Sequence, residues 1–587
     1  MLKHYRPIAA LLIGSFLFSG TVYATTNEEH GVRSVQQEGA CTGTVLDETG
    51  MGIIGASVVI KDNRTVGSVT DLDGKFRIPS AKRGDVLVIT YIGYKPVEVT
   101  WNGTPLNITL MEDTELLDEV VVVGYGTQKK VNVTGAVSMV DDKVFESRPV
   151  QNVAQALQGQ IPGLTMSVGN SGGTLDSELN FSIRGSGTIG TGSSGSPLVL
   201  IDGIEGNMNT VNPNDIASVS VLKDASSASI YGARAAFGVI LITTKNGQAG
   251  KTRVNYTGNV RFSTAIQVPE MMNSWDFANY FNTAATNDGS APVFNEEALN
   301  NIKTYLEGGF TDPTTPEYYG TSINPQNNRY RNYDGAFANT DWFQEFYRKN
   351  APAHEHNLSI SGGSEKMTYM LSGNFLNQLG LLRHGEDKFN RYTLNGKFNI
   401  KITDWLSVNY TTKWTREDYD RPTYLTALFY HNIARRWPTC FVRDPHGHWA
   451  PDMEIIQLEE GGKQNDQKNW VTNQLQVVLE PIKDWHINLE GSMRQYHRAY
   501  GWAVLPIYGY DANNQPYLLS WNGGAAGYSE AQEVREAEDY FSTNLYTDYS
   551  KTINGHYFKV LAGFNAELYR GNNLSGFGTD LITASVP

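Results

Sequence analysis

Cysteine is almost absent: Cys41 and Cys440 are the only two in 587 residues. That excludes a disulfide framework, and two unpaired thiols in different domains are expected. Positive charge is also scarce, with 47 Lys and Arg against 61 Asp and Glu and a net charge of −14. Nucleic-acid binding needs a basic footprint, so this balance argues against it. No apolar run is long enough to cross a bilayer comfortably as a helix, which excludes a helical membrane bundle. A membrane β-barrel is not excluded, because its strands alternate lipid-facing and lumen-facing residues and keep mean hydropathy low. No P-loop is present.

What is present begins with an address. Lys3 and Arg6 precede an apolar run from Ile8 to Phe18, and Val22-Tyr23-Ala24 fits a small-residue cleavage site. Residues 1–24 therefore read as a secretory signal peptide cut after Ala24, and 25–39 as a polar linker. Residues 40–111 read as a small β-sandwich of seven short strands: 42–45, 56–60, 67–70, 75–78, 85–91, 95–99 and 106–110. Asp71-Leu72-Asp73-Gly74 lacks the terminal Glu and flanking helices of a calcium loop and reads as a tight turn.

Residues 112–130 form a second linker. Within it, Glu119-Val120-Val121-Val122-Val123-Gly124-Tyr125-Gly126 is a β-branched run bounded by acids, glycines and the pair Lys129-Lys130. Such a run can be a buried strand of the preceding domain. It can also stay extended and exposed, and add itself to the edge of a partner's sheet through backbone hydrogen bonds. Residues 131–250 alternate short strands with glycine turns. Val150 to Gln160 has helical spacing with Val153, Ala156 and Leu157 on one face, and Ala225 to Ala236 is a small-residue helix that Gly232 weakens. Phe181-Ser182-Ile183-Arg184-Gly185, Leu198-Val199-Leu200-Ile201-Asp202-Gly203, Val221-Leu222-Lys223-Asp224 and Ile230-Tyr231-Gly232-Ala233-Arg234 punctuate this stretch. Arg184 and Arg234, set among small and apolar residues, read as structural charges pairing with carboxylates.

These motifs resemble the plug of TonB-dependent outer-membrane transporters of the SusC/RagA type. The segment at 40–111 is similar to the carboxypeptidase-regulatory-like domain that often precedes such plugs. The resemblance makes Glu119–Gly126 the Ton box that binds TonB. It also makes Arg184, Gly185, Asp202, Gly203, Lys223, Asp224, Tyr231, Gly232 and Arg234 plug-motif residues. It implies no enzyme and no cofactor. The implied partners are TonB with its proton-motive-force partners, a SusD-like surface lipoprotein, outer-membrane lipid, and an oligosaccharide or peptide substrate.

From residue 251 the texture becomes strict alternation. Tyr392, Leu394, Phe398 and Ile400 share one face, against Arg391, Thr393, Asn395, Lys397 and Asn399 on the other. Strand candidates fall at 253–264, 355–363, 366–379, 389–403, 406–418, 470–481, 485–499, 540–550 and 556–572. Short links alternate with longer ones, the asymmetry expected of an outer-membrane barrel, and Trp405 and Trp485 sit beside short links as interfacial anchors. The fold class expected is mainly β: a sandwich, an α+β plug, and an incomplete antiparallel barrel over 251–587. Plugged transporters use about 22 strands, so the chain is expected to be the N-terminal portion of a longer protein or a truncated product.

Enzyme readings fail on context. Gly185-Ser186-Gly187-Thr188-Ile189-Gly190 matches a dinucleotide fingerprint, but loop follows where a helix is required. Gly169-Asn170-Ser171-Gly172-Gly173 resembles a protease nucleophile loop without a suitably placed histidine. His354–His356 and His446–His448, in or beside long links, lack zinc spacing. Trp437, Trp449 and Trp521 could stack on sugars or pack within loops. The function expected is TonB-dependent nutrient uptake across a Gram-negative outer membrane. The alternatives are a cell-surface adhesion protein built from β-domains, and a non-transporting remnant.

Overall fold

The computed structural model describes residues 40–581 apart from 49, 62, 92–93, 112–119, 124–125, 130–135, 148–149, 151–152, 169–173, 176–178, 186–194, 452–453, 521–524 and 554–555. The signal peptide, Glu119, Gly124, Tyr125, the loops after Gly185 and around 169–173, and Trp521 lie outside the described residues. The chain divides into two compact units, residues 1–119 and 120–587.

In the first unit, all seven expected strands form. They are β1 (Cys41–Leu46), β2 (Ser57–Ile60), β3 (Asn63–Val69), β4 (Lys75–Ile78), β5 (Val86–Thr90), β6 (Val97–Thr100) and β7 (Leu106–Thr109). Two sheets, β4-β1-β7 and β3-β2-β5-β6, enclose one core. Alternation decides which residues enter it: Val58 and Ile60, Phe76 and Ile78, Leu87 and Ile89 are all buried. Gly43 is required on β1, since a Cβ there would lie 2.5 Å from the Leu106 carbonyl oxygen and 2.7 Å from the Phe76 ring. Cys41 and, in the second unit, Cys440 are buried thiols outside any disulfide. Burial and the Asp85 carboxylate push the Cys41 thiol up to about 11.

The second unit begins with β8 (Val120–Val123) and β9 (Gly126–Lys129), which pair antiparallel as a two-stranded sheet. The valine run joins neither sheet of the sandwich, and it is not a lone extended segment either: one of its edges is paired with its own chain. The reason is local, because Lys129 and Gln128 fall opposite Val120 and Val121 in register.

A five-stranded sheet follows, built from β10 (Val137–Asp141), β13 (Leu198–Ile201), β14 (Ile204–Glu205), β15 (Ile216–Leu222) and β16 (Val239–Thr244), in the order β10-β15-β16-β13-β14. A separate hairpin pairs β11 (Leu164–Val168) with β12 (Leu179–Ile183). The central strands are apolar on both faces because both faces are covered. On one side Val199, Ile201, Val219, Ile240 and Ile242 pack with Phe145 of α1 (Asp142–Ser147) and Val153 and Leu157 of α2 (Val153–Leu157). On the other, Leu200, Leu222 and Leu241 pack with Ala228 of α3 (Ala225–Ala228) and with Tyr231 and Ala235. The helix expected over 225–236 is only one turn of α-helix followed by 3-10 turns over Ser229–Ala235, broken at Gly232 (φ 62°, ψ −148°). That backbone conformation is open to glycine and ends the helix.

The remaining chain forms one nine-stranded antiparallel sheet. Its strands are β17 (Gly250–Ser263), β20 (Ala351–Gly363), β21 (Met367–Leu379), β22 (Lys388–Thr403), β23 (Leu406–Pro422), β24 (Lys463–Ile482), β25 (Trp485–Val504), β28 (Glu530–Ile553) and β29 (His556–Thr579). They follow one another as neighbours from β17 to β29, which are the two edges of the described sheet. Each overlaps one expected strand, but β24, β25, β28 and β29 run to 20 or 24 residues. About 9–11 residues suffice to cross a bilayer, so the ladders continue well past the stretch where lipid enforces alternation. One face of the sheet is apolar and open, with Leu371, Leu394, Leu475, Leu489 and Leu545 exposed. The other is polar and covered, with Asn374, Arg391, Lys397, Asn488 and Asn544 buried. His354 and His356 belong to strand β20, not to a long link.

The long links carry a core that alternation could not reveal. They hold β18 (Ile323–Asn324) with β19 (Arg329–Tyr330), β26 (Tyr508–Tyr510) with β27 (Pro516–Leu518), and the helices α4 (Ser274–Asn287), α5 (Glu296–Leu306), α6 (Trp342–Phe346), α7 (Ala427–Ala434) and α8 (Glu454–Glu459). Trp342, Phe346, Phe429 and Phe441 are fully buried together there. Trp437 packs against Phe277, Phe281 and Phe294 at 5.3, 4.7 and 5.5 Å between ring centroids. Trp449 lies under the Arg443 guanidinium at 3.4 Å. Both tryptophans are thus packing residues, while His448 stacks on Tyr510 at 3.6 Å.

Candidate functional site: the plug against the barrel wall

The α+β domain lies on the polar face of the nine-stranded sheet, and the contact is built at a hairpin tip. β13 and β14 are joined by Asp202-Gly203, both with positive φ (51° and 88°). This is the pattern of a type I′ turn, for which Asp-Gly is favoured. The turn aims the Asp202 side chain at the wall. Its Oδ1 accepts from the Lys397 ammonium at 2.8 Å and from the Thr244 backbone N–H at 2.9 Å. Its Oδ2 accepts from Lys413 and from the Thr244 hydroxyl at 2.9 Å. Lys397 also donates to the Thr244 carbonyl (3.0 Å), and Gln474 donates to the Asp202 carbonyl (3.2 Å). Burial alone would push the Asp202 carboxyl up, but the Lys413 and Lys397 ammoniums overrule it and hold it well below the usual carboxylate range. Removing one partner of a buried ion pair costs about 3–5 kcal/mol, because the other charge is stranded.

Around this point the wall mostly donates and the plug mostly accepts. Arg391 reaches the Asn209 carbonyl (2.8 Å), Arg494 the Glu205 carbonyl (2.5 Å) and Thr415 the Thr210 carbonyl (3.1 Å). Asn212 donates to Asn357 at 2.7 Å, and Ser372 donates to Asp215 Oδ2 at 2.6 Å. Among the described residues Asp215 Oδ1 has no hydrogen-bond partner, and burial raises its carboxyl against the lowering effect of Ser372 and Asn212. Among the described residues Leu175 makes an apolar contact, packing on Leu376, Phe389 and Tyr419 of the wall. A cavity of about 320 Å³ lies between the two parts, lined by Thr210, Asn212 and Asp215 on one side and Lys413, Trp470 and Tyr496 on the other.

The other motif residues are scaffold. Arg184 ends β12 at φ 58°, donates its N–H to the Gly163 carbonyl (2.7 Å), and forms no ion pair among the described residues. Gly185 continues the turn at φ 91°. Lys223 donates to the Pro162 carbonyl at 2.5 Å. Asp224 caps α3, accepting from the Ser227 N–H (2.9 Å), and also accepts from the Ala136 N–H (2.6 Å); these hydrogen bonds hold its carboxyl below the usual range. Tyr231 is core. Arg234 does reach the wall, pairing with Glu567 at 2.7 Å and with Glu205 at 3.3 Å. Sequence reading placed Lys397 on a polar strand face but offered no sign of its partner. Asp215 and Asn212 were missed, since Asn-Pro-Asn-Asp reads locally as an ordinary turn.

A domain with its own core, carried on the inner face of a barrel-type sheet, defines a plugged outer-membrane barrel. The TonB-dependent receptor plug domain family matches residues 129–239, and the CarboxypepD_reg-like domain family matches residues 41–122. The TonB-dependent receptor SusC of Bacteroides thetaiotaomicron is 27% identical over 610 residues, covering 97% of this chain and 54% of the relative. The TonB-dependent receptor P26 of Formosa agariphila is 34% identical over 423 residues, covering 71% of this chain and 38% of the relative. Among solved structures, the RagAB peptide importer in its open-open state aligns with a TM-score of 0.63 at 24% identity, over 78% of this chain and 50% of that one. This chain belongs to the SusC/RagA type of TonB-dependent receptor, a class of Gram-negative outer-membrane β-barrel proteins. It spans about half the length of the curated relatives it matches.

Proposed function

We propose that this chain supplies the coupling segment, plug and first barrel strands of a TonB-dependent importer of nutrients, taking an oligosaccharide or a peptide. The observation that carries this reading is the contrast at the plug. Its core closes on itself, while its contact with the wall is almost entirely hydrogen bonds and ion pairs. Such a domain can leave the wall without exposing its interior, because water can replace the single hydrogen bonds that hold most of this contact. The cavity supports a sensing role, since an occupant would touch plug and wall together. A SusD-like lipoprotein at the long-link end would complete capture.

In the same proposal, residues 119–126 are the TonB-binding segment. The outer membrane has no nucleotide supply, so work must arrive as a pull, and a strand gripped through its backbone can be pulled. The β8–β9 pairing leaves β8 with a second edge, or requires the partner to replace β9. The test is Val121→Pro with Val123→Pro in the whole protein. Proline cannot donate to a ladder, so uptake should fall to background while substrate still binds at the cell surface. Unimpaired uptake in that variant would sink the coupling assignment.

A further inference from the structure

We propose that Asp202 is the latch of the plug: the contact whose rupture sets how long the plug holds against a load applied upstream of Val120. Its biological meaning rests on the pulled-plug reading above, but the contact can be tested without it.

Three features single it out. First, both carboxylate oxygens are occupied, each by one wall ammonium and one group of Thr244. Second, the wall partners come from three neighbouring strands, Lys397 of β22, Lys413 of β23 and Gln474 of β24. Displacing the hairpin must break all of them together, and it strands one anion and two cations where little water reaches. Third, the competing ionic contact has one wall carboxylate behind it, Glu567 of β29, which Arg234 meets at 2.7 Å. Asp202 is instead held from three strands, with its side chain 9% exposed, and charges so buried are little screened by water and salt. Arg391, Arg494, Thr415, Asn212 and Ser372 each give one described hydrogen bond across this interface, and Leu175 adds a small apolar contact.

The sheet order gives the latch its leverage. Load from the upstream segment enters at β10, one edge of the plug sheet, and the latch hairpin β13–β14 is the opposite edge. With the latch closed, β10 should peel away before the hairpin moves. With the latch weakened, the plug should leave the wall as one body.

The experiment is single-molecule pulling on the full chain in outer-membrane vesicles, through a handle fixed upstream of Val120. The readouts are plug lifetime at constant load and the length of chain released in the first step. Asp202→Asn should shorten the lifetime at least tenfold and lengthen the first step. Lys413→Gln should do the same, and the double variant should be no worse than either single one, since all three break one contact. Arg234→Gln should change the lifetime less than threefold. Unchanged barrel migration on unheated gels checks folding, and if Asp202→Asn does not fold, Lys397→Gln and Lys413→Gln carry the test. An unaltered lifetime in the lysine variants, effects that multiply in the double variant, or an Arg234→Gln effect as large as Asp202→Asn would overturn the latch. Because the instrument supplies the force, these outcomes are independent of whether TonB binds residues 119–126.

Discussion

The inside of the plug and its outside are built from opposite chemistry. Inside, Val153, Leu157, Val219 and Ile240 are sealed from water between sheet and helices. Outside, the same sheet ends in Asp202, Asn212 and Asp215, each bonded to a polar group on the wall. An apolar contact loses stability in proportion to the area exposed, whereas a hydrogen bond can be exchanged for water at small net cost. The difference separates two tasks: the core keeps the plug one body, and the interface lets that body move. Asp202 is where the second rule is least obeyed, because its charges are buried.

The largest break in this contrast should come from the core. Leu157→Ala deletes a fully buried side chain and should destabilise the plug by about 2–5 kcal/mol. The check is the urea midpoint for protease attack within residues 131–250, and a midpoint within error of wild type would contradict a closed core. A smaller, pH-dependent effect is expected at Asp215. Burial holds its carboxyl above the ordinary value, so the folded state binds this proton more tightly than the unfolded one. That contribution to stability is complete below the unfolded value of about 3.9 and is lost as pH rises through the raised folded value. Asp215→Asn has no proton to lose, so its melting temperature relative to wild type should climb as pH rises from acid to neutral. A difference that stays flat with pH would remove burial as the cause. The smallest effect belongs to the Arg234–Glu567 pair. Arg234→Gln should cost less than about 1 kcal/mol, and less still in high salt. A large, salt-insensitive loss would mean that this pair shares the work assigned to Asp202.

Local rules made much of the architecture legible. The seven sandwich strands and nine barrel strands were readable because alternation and glycine turns are properties of neighbouring residues. Asp202-Gly203 was readable as a turn for the same reason. The helix expected over 225–236 failed at one residue, Gly232, whose φ of 62° and ψ of −148° lie outside the helical range. The aromatic core of the long links was illegible because Trp342 comes from one link and Phe429 and Phe441 from another, with no shared period.

Sequence by itself determined the two-faced strands, the turn that presents Asp202, and the family resemblance that spacing and motif carry. Only tertiary structure decided what Asp202 faces. Lys397 and Lys413 lie 195 and 211 residues further along the chain, and each is simply one polar position among many on an alternating strand. A carboxylate and an ammonium so far apart carry no local signal of each other. Their meeting depends on how a twisted sheet wraps a folded domain, and that is settled by the packing of both at once.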